Sequence, residues 1–590
     1  MKLVDFVANY LVDTAKIRHF FGVSGANIED LFFALSPANR PNATLILAKQ
    51  EGGAATMADG HYRSSGRVAA VLTTSGGAAL NIVPALGEAY NSYIPLLAII
   101  GAPPTSLDGK GAFQDGSGIN HTLNLEKLLS NVTCYCKRVL APDEMADTLA
   151  ESMIAIRYHR RPAAIILPKN IQNSVLSKVN FRPRLISNRS INPLEEIVFP
   201  TIVGPTTIVF GEEIVQENIV AKAIMLAEIM QANVLVTPEG KAAFPSDHPR
   251  YRGIAGVMTK SRSEISKLLG QTKNFLLIGT KLSFMERYGL EDFFKRDESF
   301  VTIINTTVSY WQGANGIYIN VPSLGRAIAK WISSLNIKAT DPSTPLGCPD
   351  QKTTLTTPLD LENLQGQISV NHIGDLLNSL QSDSKESINW VIDAGNAVCN
   401  AVREIQIKRN SNTTFSIALG MGGMGYSFGA AIGAYMGNNQ KTIALAGDGA
   451  YYMNGMEIHT AVEYHLPITF VIADNSGHGM CVTRDQLFLN NDSLINRFDD
   501  VNIAASLQAM FGERIRAFSA ATYEEFFALR EVLKSRPFHG PTVLVFKINI
   551  DEMPEFLPFN DCLAKEINNP AFRQLKIKYS PLSISTERSC

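Results

Sequence analysis

The stretch TIALAGDG, residues 442–449, followed by ITFVIADN, residues 468–475, decides the fold. Thr442 to Ala446 reads as a buried strand, Met456 to His465 as a helix and Ile468 to Ala473 as a second strand, which together make a βαβ unit. Such a unit lays its strands parallel, so Asp448 and Asn475 should be neighbours at the carboxyl ends. In an open α/β sheet that end is the ligand edge, and helix N-termini beside it attract phosphate. A carboxylate and an amide oxygen there suit magnesium, a hard ion that holds diphosphate while asking few ligands of the protein. Gly447-Asp448-Gly449 in isolation also reads as a turn; its spacing to Asn475 and the flanking strands are what favour the ion.

Working outward, a chain of 590 residues exceeds one hydrophobic core, and about three domains are expected. A net charge of −2 and the absence of long Lys or Arg runs speak against nucleic acid and for small-molecule partners. The seven cysteines, Cys134, Cys136, Cys348, Cys399, Cys481, Cys562 and Cys590, show no metal-type spacing and fit reduced thiols in a cytoplasm. The N-terminal segment alternates charged and apolar residues at helical spacing, unlike a signal peptide, and no uninterrupted run of 18 apolar residues predicts a membrane span.

The organisation repeats strand and helix three times. The first block has a helix predicted over Val4 to Phe20 and strands at Leu45 to Ala48, Val68 to Thr73 and Leu96 to Ile100. A polar segment from Ser177 to Pro200 reads as a linker. The middle block carries strands at Thr207 to Phe210, Asn233 to Val236, Asn274 to Ile278 and Phe300 to Ile304, with a helix over Ile219 to Gln231. A second linker runs from Ser343 to Gly366, and the third block adds a strand at Trp390 to Asp393. The expected fold class is α/β, three doubly wound parallel-sheet domains over residues 1–178, 195–340 and 367–555, with a polar arm at 556–590.

Gly-Asp-Gly, a helix and then Asn form the thiamine-diphosphate motif, so the chain resembles the thiamine-diphosphate-dependent enzymes of the pyruvate decarboxylase and acetolactate synthase group. The resemblance extends over nearly the whole chain, since that group has pyrimidine-binding, central and diphosphate-binding α/β domains in this order. It implies thiamine diphosphate and Mg2+ as cofactors, with the ion held by Asp448, Asn475 and the backbone carbonyl of Gly477, and with Gly447 and Gly449 lining the diphosphate.

Glu51, in KQEGGAATMADGHYRSSG (residues 49–66), matches the glutamate motif of the same enzymes. The resemblance makes it the catalytic carboxyl that hydrogen-bonds the pyrimidine ring, so that the cofactor's own amino group can take the thiazolium C2 proton; a positioned acid/base group contributes about 10²–10⁴ in rate. Taken without the matching segment, it also fits a helix-start carboxylate facing the macrodipole. In the family's arrangement Glu51 and Asp448 come from different subunits, which makes the enzyme a homodimer or homotetramer. A second signature, LGMGGMGYSFGAAIGA (residues 419–434), places Met424 under the bent cofactor and offers the Gly422 carbonyl to its amino group. A methionine at a Gly-rich helix start also reads as core filler.

Gly111-Ala112-Phe113-Gln114-Asp115 resembles the Ala-Phe-Gln-Glu segment of acetolactate synthases, whose Phe and Gln project into the active site, and so makes Phe113 and Gln114 substrate-side residues. The paired histidines of pyruvate decarboxylases are absent; His121 reads as an ordinary loop residue. Cys481 stands where those decarboxylases keep a glutamate, and Arg484 where acetolactate synthases keep a tryptophan. Loss of both proton donors favours carboligation, in which the acyl fragment of a 2-oxo acid, with pyruvate first in mind, is joined to a carbonyl acceptor rather than protonated. Arg484 fits pairing with a carboxylate or phosphate of that acceptor, or a solvated loop residue. His478 fits a proton shuttle or a plain surface histidine. In the middle block Gly211-Glu212-Glu213 stands where acetolactate synthases have a glycine-rich FAD turn, and glutamates facing a pyrophosphate repel it, which speaks against FAD. The rivals to this expectation are simple decarboxylation to an aldehyde and a cofactor-binding but inactive subunit.

Overall fold

The computed structural model of the protein describes residues 1–176, 197–259, 262–307, 309–310, 315–335, 363–381, 386–409, 412–489, 494–535 and 538–567. Among them every strand pairs parallel, in three sheets of six. The first holds β1 (His19–Gly22), β2 (Thr44–Leu47), β3 (Ala70–Thr73), β4 (Leu97–Ala102), β5 (Tyr135–Arg138) and β6 (Ala163–Pro168), in the order β2-β1-β3-β4-β6-β5. The second holds β7 (Thr206–Phe210), β8 (Asn233–Val236), β9 (Tyr251–Ile254), β10 (Asn274–Ile278), β11 (Phe300–Asn305) and β12 (Gly316–Asn320), in the order β12-β11-β10-β7-β8-β9. The third holds β13 (Ile388–Ile392), β14 (Thr414–Ile417), β15 (Lys441–Gly447), β16 (Ile468–Asp474), β17 (Arg516–Ala520) and β18 (Thr542–Lys547), in the order β14-β13-β15-β16-β18-β17. Central strands such as β4, β6 and β10 are buried at every residue, as expected when helices cover both faces of a parallel sheet. The three-sheet α/β class expected from the sequence is therefore observed.

Several elements differ from expectation. The first helix stops early: an α-helix over Leu3–Asn9 passes into a π-helical turn, Tyr10–Thr14, and the apolar residues beyond it form β1. The periodicity ran on because Val7, Leu11, Ile17 and Phe20 all bury into one core, whichever element carries them. Between β15 and β16 there are two helices, Asp448–Asn454 and Glu457–Glu463, rather than one. The described part of the expected C-terminal arm is a helix, Leu557–Ile567, whose Asp561 accepts a 2.9 Å hydrogen bond from the Tyr288 hydroxyl of the middle block. The segment expected to link the first two blocks lies outside the described residues apart from 197–200, and the second linker apart from 363–366.

The first and third blocks share a core. The helix Glu51–Ser65 packs against Tyr426–Asn438, and Ala54, Met57 and Ala58 bury with Phe428, Ala431 and Ile432. Glycines set the approach: a methyl at Gly60 would lie 2.7 Å from the Ala430 Cα, and one at Gly433 2.6 Å from the Met57 carbonyl carbon. Along the same seam the Tyr426 hydroxyl donates to Asp59 (2.6 Å), which also accepts from the Arg63 guanidinium (2.6 Å). Among the described residues no helix is long and apolar enough to cross a membrane.

Candidate functional site

The register of the third sheet pairs Gly447 of β15 with Ala473 of β16, which brings the residues after each strand to one edge. Asp448 opens the helix that follows β15 and is buried; its Oδ2 accepts the Gly477 N–H at 3.0 Å. Burial, with the neighbouring Asp474 carboxylate, pushes the Asp448 carboxyl up to about 6. Asn475 follows β16, and its Oδ1 is buried without a hydrogen-bond partner. Ser476 turns the chain through a left-handed φ of 55°, which lets Gly477 return towards Asp448. Gly449 makes room for the next residue on: a methyl there would meet the His478 Nδ1 at 2.8 Å. The His478 ring stands edge-on to Phe498 at 4.7 Å, and its Nδ1 too is buried without a partner.

One more partnerless buried atom lies at this end of the sheet. Gly395, with φ of 133°, turns β13 into the helix Asn396–Glu404. Asn396 Nδ2 donates to Thr483 Oγ1 at 3.2 Å while its Oδ1 has no donor; Ser427, at the start of the next helix, lies against the Asp393 carboxylate, to which its N–H donates at 2.7 Å. Each such atom costs roughly 1–3 kcal/mol if left dry. Asn475 Oδ1, His478 Nδ1 and Asn396 Oδ1, at the same sheet edge as the buried Asp448 carboxylate, are polar atoms open to a ligand. The donor set fits the group expected from the sequence: Asp448, Asn475 Oδ1 and a backbone carbonyl are hard oxygen ligands for a small divalent cation, and helix N-termini at Asp448 and Asn396 suit the phosphates it would bridge. Asn396 and Ser427 were not singled out in the sequence; the strand-then-glycine pattern of Asp393-Ala394-Gly395-Asn396, which echoes Gly447-Asp448, is the signal that would have found Asn396.

Upstream of the helix Tyr426–Asn438, Gly422 adopts φ of 68° and Met424 is half-buried against the core shared by the two blocks. At the edge of the first sheet, Glu51 opens its helix just beyond β2, with Gln50 as the cap. Its Oε2 accepts from Asn81 Nδ2 at 2.8 Å. Gln114 sits in a left-handed conformation with its side chain over Gly76, and its Oε1 accepts from the Ser75 hydroxyl at 3.0 Å. Phe113 beside it is 85% exposed. Cys481 is exposed in the helix Gly479–Arg484, at whose end the Arg484 guanidinium lies 5.0 Å from the Phe488 ring centre.

Within one chain the structure thus gathers Asp448, Gly449, Asn475, Gly477 and His478, and keeps Glu51 and Gln114 at the edge of another sheet. Among the described residues no hydrogen bond joins Glu51 to Asp448, Asn475 or Gly477. In the middle block the ligand edge is filled from within. Glu213 accepts the Thr306 and Thr307 N–H groups (2.8 and 3.1 Å), and Glu212 is buried beside Glu239 and Glu286 around Lys281, whose Nζ lies 3.0 Å from Glu239.

Three parallel sheets in series, with buried oxygen ligands and helix N-termini converging on a strand edge of the last, define a three-domain α/β enzyme that works with a phosphorylated cofactor. The family models agree: the thiamine pyrophosphate enzyme N-terminal TPP binding domain matches residues 1–121, the central domain 205–327 and the C-terminal TPP binding domain 393–546. The chain belongs to the thiamine pyrophosphate enzymes. It is 25% identical to the acetolactate synthase of Arthrospira platensis over 92% of this chain and 94% of that one. It is 24% identical to the sulfoacetaldehyde acetyltransferase of Castellaniella defragrans over 85% of each chain. Among solved structures, the thiamine diphosphate-dependent 4-hydroxybenzoylformate decarboxylase of Rhodococcus jostii RHA1 shares the fold, with a TM-score of 0.72 at 17% identity over 93% of this chain and 99% of that one.

Proposed function

We propose that this thiamine-pyrophosphate enzyme decarboxylates a 2-oxo acid, pyruvate first among them, and transfers the acyl fragment to a carbonyl acceptor, in the manner of an acetolactate synthase. Asp448, Asn475 and the Gly477 carbonyl would hold Mg2+, with the Asn396–Glu404 and Asp448–Asn454 helix N-termini facing the diphosphate. When bound, the cofactor supplies a nucleophilic carbon and an electron sink for the cleaved carboxylate. Glu51, whose Oε2 accepts from Asn81, would hydrogen-bond the pyrimidine ring of the cofactor and hold or release a proton there. In the arrangement of the resembled enzymes the catalytic glutamate and the metal-binding aspartate of one site come from different subunits, so this reading includes a homodimer or homotetramer in which each site takes Glu51 from the other protomer. His478 and Gln114 are assigned to proton handling around the substrate, and Phe113 and Arg484 to the acceptor side.

The observation that carries transfer over simple decarboxylation is Cys481. It stands exposed one turn beyond the metal loop, where the resembled decarboxylases have a glutamate able to protonate the fragment. The relationship to both a synthase and an acetyltransferase supports the same reading. FAD is left out of it, since Glu212, Glu239, Glu286 and Lys281 fill the edge of the middle sheet where a dinucleotide would lie. Thiols outside any disulfide at Cys134, Cys136, Cys399 and Cys481 suit a reducing cytoplasm. The test is mass-spectrometric product analysis with pyruvate, thiamine diphosphate and Mg2+ against a panel of aldehyde and 2-oxo acid acceptors. Ligated products are expected; acetaldehyde as sole product would overturn transfer, and bound cofactor with no turnover of any 2-oxo acid would mark an inactive subunit.

A further inference from the structure

The loop from Ala418 to Gly425 lies between β14 and the helix Tyr426–Asn438 and has no ladder or helix of its own. Its outer side is open: a methyl built at Gly422 or Gly423 would meet nothing within 4 Å, and Met421 is largely exposed. The third domain holds its end, where Gly425 donates to Asp393 at 2.9 Å, and the first domain holds its beginning. Glu88, buried in the helix Val83–Asn91, accepts from the N–H groups of Gly420 (Oε1, 3.1 Å), Met421 (Oε2, 2.6 Å) and Gly422 (Oε2, 3.4 Å). The Ser92 hydroxyl (2.6 Å) and the Arg63 guanidinium (3.4 Å) donate to Oε1 as well. Asn91, three residues along the helix, donates to the Gly420 carbonyl at 3.2 Å, and Arg63 to the Ile417 carbonyl at 3.2 Å.

Three successive N–H groups converging on one anion form a nest, the backbone device that elsewhere cradles phosphate. Here the anion is a carboxylate of the same chain, so the nest does not bind ligand; it fixes the loop. Charge-assisted bonds of this kind are about twice as strong as neutral ones. We propose that Glu88 is a positioning residue for the cofactor, holding Gly420–Gly422 in the one conformation that presents the Gly422 carbonyl and Met424 to thiamine diphosphate. The assignment rests on the reading above that the cofactor binds against this loop. Each N-terminal domain would then act twice, lending Glu51 to its neighbour's site and Glu88 to its own.

The chemistry makes glutamine a poor substitute. Oε1 and Oε2 each face N–H donors, so either orientation of an amide turns its NH2 group against at least one of them. In E88Q without cofactor, hydrogen–deuterium exchange of the 417–425 backbone should quicken about tenfold or more, the scale set by losing a hydrogen bond to a charged group. Affinity for thiamine diphosphate with Mg2+, read by quenching of intrinsic fluorescence, should fall about ten- to hundredfold. At saturating cofactor kcat should drop while the KM for the 2-oxo acid stays, and E88D, which keeps the charge, should recover part of both losses. Should E88Q not fold, N91A gives the same changes with smaller size, since it removes the Gly420 carbonyl bond and leaves the carboxylate. Loop exchange and cofactor affinity equal to wild type in a folded E88Q would overturn the proposal. Failure of the wild-type protein to bind thiamine diphosphate would instead sink the cofactor reading, and exchange of the cofactor-free loop would still report on Glu88.

Discussion

Replacing Gly433 by alanine puts a methyl group into the closest backbone contact between the first and third domains. That methyl would lie 2.6 Å from the Met57 carbonyl carbon and 2.9 Å from the His61 nitrogen. Carbon atoms at rest sit about 3.5–4.0 Å apart, so the helices Glu51–Ser65 and Tyr426–Asn438 must part by roughly 1 Å. Neither neighbour is a side-chain end that can rotate away. Overpacking of this kind costs about 1–3 kcal/mol, which for domains of this size lowers the melting temperature by roughly 2–12 °C. The separation also reaches the site, because Met424 and Gly422 lie just before one helix and Glu51 opens the other; a 1 Å misplacement costs on the order of 10²-fold in rate. Scanning calorimetry and thiamine diphosphate binding are the measurements. Gly270→Ala is the control, since a methyl there meets nothing within 4 Å and its φ is not left-handed. A Gly433→Ala protein that melts within a degree of wild type and binds cofactor equally would refute the claim that this glycine contact sets the domain spacing.

Further outcomes follow from the same geometry. Glu51→Gln should reduce turnover by about 10²–10⁴-fold while cofactor affinity stays near wild type, checked by steady-state kinetics beside a binding titration; undiminished turnover would remove Glu51 from catalysis. Asp448→Asn should abolish the Mg2+ dependence of thiamine diphosphate binding, measured by titration with and without chelator, and unaltered dependence would move the metal elsewhere. Stability should fall as pH drops below 6.5 through the His19–His61 pair, whose ring nitrogens lie 2.9 Å apart. Burial, and then the Arg67 charge, lowers His19 to about 4; burial, and then His19, lowers His61 to about 3. An unfolded chain titrating near 6.5 therefore binds more protons than the folded one between those values, which removes about 1.4 kcal/mol per proton per pH unit. Denaturant midpoints at pH 7.5 and 5 should differ in wild type and differ less in His61→Phe; equal pH dependence would show that the pair stays neutral for no energetic reason of its own.

Much of this architecture could be read ahead. Residues 275–278 and 470–473 are apolar throughout, as strands buried on both faces require, and Asp448 and Asn475 announce themselves because each follows a strand of this kind. What escaped has a physical reason. β1 was absorbed into the preceding helix because both bury the same apolar side of the first core. The helix at Asp448 was masked by Gly449 and Gly455, residues that look like turns and are there so that the His478 ring and the Tyr451 turn can come close. Glu88 escapes for a different reason: its partners, the N–H groups of Gly420 to Gly422, are distant in sequence, and only folding makes them neighbours.

The glycine-lined seam between the first and third domains also bears on how the chain is made. The helix Glu51–Ser65 emerges from the ribosome early, yet the surface that buries it, Tyr426–Asn438, follows after roughly 360 more residues, a wait of about 20–70 s at usual rates of synthesis. For that interval Ala54, Met57 and Ala58 have no partner from the third domain, and the loop that Glu88 will hold does not yet exist. The nascent N-terminal domain is thus the species most exposed to misassociation, and a holding chaperone, or an already finished copy, is what would meet that face first.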